Sequence, residues 1–137
     1  MVRKYWGAER VYHPTAPINS LYGLHEALRL TLDEGLEARW KRHADAHAAL
    51  VRGLEPLGLS LPVRPANRLP QLNAVSIPAG ADDKAVRKTL LEAHGIEIGA
   101  GLGALAGKVW RIGLMGEGAG SEVVERVLTA LKAVIRN

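Results

Sequence analysis

The sequence predicts an α+β fold, a small sheet covered by helices, on three observations. Apolar residues recur at helical spacing through the first part of the chain, the period changes to two after residue 58, and from residue 72 the order reads strand, helix, strand, strand, helix. Residues 1–17 hold Pro14 and Pro17, each of which disfavours helix at the residue before it, so this stretch reads as an extended arm. Ile18, Leu21, Leu24, Leu28 and Leu32 then share one helix face that closes near Gly35. A second stripe, Leu36, Trp40, His47, Leu50, Val51, Leu54 and Leu57, is stopped by Pro56 and Gly58, and the two helices together read as a long bent rod.

Leu59, Leu61 and Val63 alternate with Ser60 and Pro62, which predicts an edge strand, because proline cannot donate to an inner ladder. The connection "RPANRLP" leads to a second strand over 72–77. Asp82 or Asp83 can cap a helix whose Val86, Leu90 and Ala93 share a face and which Gly95 closes. "GIEIG" predicts a short third strand, and the glycine-rich turn "GAGLGALAG" joins it to a fourth over 108–115. Ser121 then caps a last helix with Val124, Val127, Leu128, Leu131, Val134 and Ile135 inward. No boundary divides 18–137, so one domain is expected behind the arm.

The chain has 137 residues, enough for one domain with a modest core, and no apolar run approaches the roughly 20 residues of a membrane span. It has no cysteine, which removes disulfides, thiolate metal sites and a cysteine nucleophile. "MVRKYWGAER" lacks the apolar run of a signal peptide and "IRN" is no peroxisomal tripeptide, so a cytoplasmic location is expected. The net charge of +4 raises nucleic-acid binding as a possibility. The densest cations, "ARWKRH", share their predicted helix with Glu34, Glu37 and Asp45, however, and such a mixed-sign face argues against a nucleic-acid groove.

One residue is chemically conspicuous. In the strand "KVWRIGLM", Trp110, Ile112 and Leu114 lie on one side and Val109, Arg111 and Gly113 on the other. With Trp110 facing the helices, Arg111 points away from the core beside a glycine that leaves room for a ligand. Its guanidinium is a planar fork that meets a carboxylate through two parallel hydrogen bonds, although a plain surface arginine on a half-exposed sheet fits the same pattern. Other motifs are weaker. "GLGALAG" loosely fits a dinucleotide fingerprint, but a strand follows where a helix N-terminus is needed. His43 and His47 flank Asp45 one helical turn apart, without a third metal ligand at useful spacing, and read as a solvated or half-buried helix pair. His25 and His94 stand alone. Tyr12 and Thr15 present two hydroxyls from the arm, which can donate to phosphate oxygens.

Three stretches, "YHPTAPINSLYGLHEAL" over 12–28, "DEGLEARWKRH" over 33–43 and "GIEIGAGLGALAGKVWRIGLMG" over 95–116, together resemble the class V, fold-type I aminotransferases that use pyridoxal phosphate, in the alanine-glyoxylate and serine-pyruvate branch. The resemblance covers essentially the whole chain in order. It implies a small, mostly antiparallel C-terminal domain preceded by a long linking helix, with residues 1–17 a remnant of the large domain. It also implies that Arg111 binds the substrate α-carboxylate, and that Tyr12 and Thr15 reach the cofactor phosphate of the partner subunit in a homodimer. The small residues Ala104 to Ala106, in a loop near the substrate, would suit a compact amino acid. Pro14 departs from the family pattern, which usually has a histidine there.

Transamination through pyridoxal phosphate needs a lysine to hold the cofactor and a carboxylate against its ring nitrogen. The lysines are Lys4, Lys41, Lys84, Lys88, Lys108 and Lys132, and none sits in a context matching the family's cofactor lysine. Lys108 lies three residues before Arg111, on the opposite side of a strand. The expectation is therefore a substrate-recognition part of a transaminase that moves an amino group from alanine or serine to glyoxylate or pyruvate, inactive alone. The alternative is a stand-alone α+β domain that senses an amino acid through Arg111 without catalysis.

Overall fold

The computed structural model describes Ala8 and residues 15–135. Most of the expected arm, Tyr12 included, lies outside the described residues. The chain divides into two compact units, residues 1–36 and 37–137. In the first, helix α1 runs Ile18–Glu34 and ends at Gly35, whose N–H returns to the Thr31 carbonyl. The expected stripe forms part of this helix, but α1 has no buried residue, and Leu32 is 76% exposed.

The second unit carries the sheet. Helix α2 (Leu36–Leu54) enters it and turns its inward residues, His43, Ala46, Leu50 and Leu54, towards the core. Leu50 and Leu54 belong to the expected stripe, whereas Trp40 is exposed and His43 takes an inward place. Strands β1 (Leu72–Ser76), β2 (Gly99–Ala100) and β3 (Val109–Gly113) form an antiparallel sheet in the order β1-β3-β2. Helix α3 (Asp83–His94) is capped by Asp82, whose carboxylate accepts from the Lys84 and Ala85 N–H groups, and closed by left-handed Gly95. Helix α4 (Ser121–Ile135) buries Val124, Val127, Ala130 and Leu131. The α+β class is thus the observed one.

The core lies on the Trp110 side of β3, where Trp110, Ile112 and Leu114 meet Val75, Leu50, Leu54, Leu90 and Leu131. Trp110 is fully buried, and its indole N–H donates to Asp83 Oδ1 at 3.0 Å, so the one polar atom of the ring is satisfied. Asp83 also accepts from both Nε and Nη2 of Arg87, at 2.8 and 3.2 Å. Those bonds to Arg87 first, with smaller help from Trp110, hold the Asp83 carboxyl below its usual range.

Two expected strands differ from the structure. Residues 59–63 form no strand: Ser60 lends its carbonyl to the Ser76 N–H, but Pro62 has no N–H to extend a ladder. The alternation there records burial instead, with Leu59 inside and Ser60 and Pro62 exposed. "GIEIG" becomes a strand only at Gly99 and Ala100, because the Ile96 N–H turns back to the Leu90 carbonyl and belongs to the α3 cap.

Candidate functional site

Arg111 occupies the middle of β3, paired in register with Ala74 on β1 and Gly99 on β2. Both neighbours are small, so neither flanking strand covers the guanidinium. A methyl group built on Gly99 would stand 3.1 Å from Arg111 Nη2 and 3.3 Å from its Nε, which places the guanidinium directly over β2. There Arg111 Nε donates to the Ala100 carbonyl at 2.7 Å. That bond fixes the plane of the guanidinium and leaves its two terminal nitrogens for another acceptor. The side chain is half-buried and no carboxylate lies within ion-pair distance of it among the described residues.

Arg111 faces a cavity of ≈ 210 Å³ walled by Leu61, Val63, Leu69, Leu105 and Val109. Leu105 comes from the short turn Gly103–Leu105, and its approach depends on Gly101. A Cβ at Gly101 would fall 2.0 Å from the Leu105 carbonyl oxygen and 3.1 Å from Val109 Cγ2, so only glycine admits this loop path. The turn is followed by β3 and not by a helix, which removes the dinucleotide reading of "GLGALAG". Lys108 stands exposed just before β3.

The cavity's only charged members among the described residues are Arg111 and Arg68, and Arg68 was not visible as a site residue in the sequence. It sits in the coil after the short turn Pro65–Asn67, where it looks like any residue of a proline-rich connection. Its Nε donates to the Val63 carbonyl at 2.8 Å and its Nη2 to the Leu61 carbonyl at 3.4 Å. No local pattern could have foretold this, since the contact depends on how the coil folds back on the sheet.

The paired histidines have structural partners. His43 Nδ1 donates to the Arg39 carbonyl at 2.7 Å, and His47 Nδ1 to the side-chain oxygen of Asn73 at 2.6 Å; in both cases the oxygen can only accept, which fixes the proton on Nδ1. Asn73 is buried, and its amide donates to the Pro70 and Ile112 carbonyls at 3.3 Å each. Thr15 is exposed and belongs to the first unit. Among the described residues no helix is long and apolar enough to cross a membrane.

An arginine fork on a strand, with no carboxylate at ion-pair distance among the described residues and with aliphatic side chains around it, has the chemistry to meet a small carboxylate through parallel hydrogen bonds. Residues 3–116 match the class V aminotransferase family, and the chain belongs to it. The chain is 44% identical over 96% of its length to the (S)-ureidoglycine–glyoxylate transaminase of Bacillus subtilis and 45% identical over 96% to the alanine–glyoxylate aminotransferase of Callithrix jacchus. It spans about a third of the length of these curated relatives, 32% and 33%. The crystal structure of an alanine–glyoxylate aminotransferase from Nostoc sp. superposes with a TM-score of 0.89 at 54% identity, covering 98% of this chain and 36% of that one.

Proposed function

We propose that this chain is the C-terminal, substrate-carboxylate-binding part of a pyridoxal-phosphate-dependent transaminase that moves an amino group from alanine or serine to glyoxylate or pyruvate. The observation that carries the reading is Arg111, pinned through Nε by the Ala100 carbonyl, lining the cavity, and with no acceptor for its terminal nitrogens among the described residues. The aliphatic walls keep water from competing for the guanidinium and suit a substrate with a short side chain. In the complete enzyme, Arg111 would hold the α-carboxylate so that the Cα–H bond has one fixed direction relative to the cofactor. Pyridoxal phosphate, when bound, would supply the electron-withdrawing ring. This chain's part would be to grip, orient and exclude water.

The hydroxyls of Tyr12 and Thr15 would act on the cofactor phosphate in the partner subunit of a homodimer, since a hydroxyl can donate to a phosphate oxygen. No lysine here matches the family's cofactor lysine, so the arm 1–17 and domain 18–137 would complete a site only with the large domain, and the 137-residue chain alone would be inactive. The cytoplasm is the expected compartment. Arg111→Ala in a complete enzyme tests the role: it should raise KM for the amino acid and lower kcat, with a loss of about 2–5 kcal/mol in kcat/KM. Unchanged kinetics would remove Arg111 from the site.

One observation favours a second reading, a stand-alone amino-acid sensor: the unit 37–137 holds its own core and the whole Arg111 cavity. Calorimetry with alanine, serine and glyoxylate separates the two. Micromolar binding by this chain supports the sensor, and very weak binding supports the transaminase part.

A further inference from the structure

Arg111 has a different neighbour on each side of β3: Ala74 on β1, which carries a methyl group, and Gly99 on β2, which carries none. Residues paired across an antiparallel sheet project to the same face, so any side chain at 99 would stand beside Arg111. The guanidinium lies on the glycine side. The three atoms nearest to a Cβ built on Gly99 all belong to that group: Nη2 at 3.1 Å, Nε at 3.3 Å and Cζ at 3.4 Å. Each is closer than the optimal separation of heavy atoms in contact, about 3.5–4.0 Å. Backbone conformation does not call for glycine here, because Gly99 is not among the glycines with positive φ. A glycine in a strand weakens it and often marks a place where another group comes close to the backbone. At residue 99 that group is the head of Arg111. The next residue holds it there: the Ala100 carbonyl accepts from Nε at 2.7 Å, so the guanidinium cannot retreat from residue 99 without straining the bond that fixes its plane.

We propose that Gly99 is a positioning residue for the carboxylate grip: the space left by its missing side chain seats the Arg111 guanidinium on β2, and the Ala100 carbonyl fastens it there. The inference rests on the reading of Arg111 as a carboxylate receptor and adds that residue 99 sets its aim. Two parallel hydrogen bonds to a carboxylate demand both the plane and the direction of the fork. Groups that recognise a ligand in this way must be held within about 0.5 Å and 10–20° of the productive geometry. A methyl group at 99 forces the guanidinium to give by a few tenths of an ångström or to leave Ala100. Either change turns the fork away from its ligand while the packed face of the sheet, on the opposite side of β3, is untouched.

The test is an acetate titration of the 137-residue chain, whose unit 37–137 holds its own core, followed by NMR of the Arg111 Nε–H signal and paired with a urea midpoint for each protein. That proton is bonded to a carbonyl and so exchanges slowly enough to be seen. Gly99→Ala should move the signal before any acetate is added and leave the urea midpoint no lower than that of the parent. It should weaken acetate by about three- to tenfold, scaled from the roughly hundredfold that a misplacement of about 1 Å can cost. Gly99→Val should weaken acetate further, although valine is the better strand former. A structural role for Gly99 would instead make acetate affinity follow the urea midpoint, with valine at least as good as alanine, and that result overturns the inference. An unmoved signal with unchanged affinity in Gly99→Ala also overturns it and leaves Arg111 as the receptor. No response of Arg111 to acetate in the parent chain overturns the reading of Arg111 and the inference with it.

Discussion

The two faces of β3 are made by alternate residues of one short strand, and they do opposite things. On one face Trp110 and Ile112 are sealed against three helices, with every polar atom satisfied. On the other, Arg111 lies between Ala74 and Gly99, and its terminal nitrogens have no acceptor among the described residues. The packed face supplies the rigidity that the open face needs. A guanidinium on a mobile loop would lose side-chain and backbone freedom on gripping a ligand, while one on a strand locked from behind has lost most of it already.

Substitutions should separate the faces. The largest effect is expected from Trp110→Ala, which empties the centre of the core and removes one donor from Asp83: a loss of about 3–5 kcal/mol of stability in urea denaturation. Arg111→Gln should leave the urea midpoint within the roughly 0.5 kcal/mol typical of a surface change. Its effect should fall on the ligand, through loss of acetate binding by this chain. Gly101→Ala probes the loop between the faces. Its new methyl would meet the Leu105 carbonyl at 2.0 Å, so the turn must shift, at a cost of about 1–3 kcal/mol, with weaker anion binding because Leu105 walls the cavity.

The smallest effect concerns acid. Asp83 is held below its usual range by Arg87, so its contribution is present above the unfolded carboxylate value of about 3.9 and fades as pH falls through the lower folded value. Asp83→Asn should keep an acceptor for Trp110 yet remove that pH dependence. Urea midpoints for both proteins, followed from neutral pH downward, should converge in acid. A gap that persists there would assign the difference to packing instead.

Much of this arrangement was legible in the residues. The alternation through 108–115 placed Trp110 inside and Arg111 outside without any knowledge of the neighbours, because strand geometry alone sets that parity. Asp82 and Gly95 marked the ends of α3 because a cap and a left-handed turn demand those residue types. What stayed hidden depends on distant contacts. Residues 59–63 show strand-like alternation, but a strand also needs a bonding partner along its length, and Pro62 offers none. His43 is buried on α2 with its ring satisfied by the Arg39 carbonyl, and the stripe through Trp40 and His47 does not reveal that inward place. Arg68 enters the cavity by a fold of the coil that no periodicity encodes.

The most direct measurement follows the Arg111→Gln protein by two readouts on one sample, its urea midpoint and its response to acetate. The account predicts an unchanged midpoint together with the disappearance of acetate-induced shifts at residues around the cavity. A midpoint that drops as far as that of Trp110→Ala, with the acetate response intact, would show that Arg111 holds the fold together and receives no ligand.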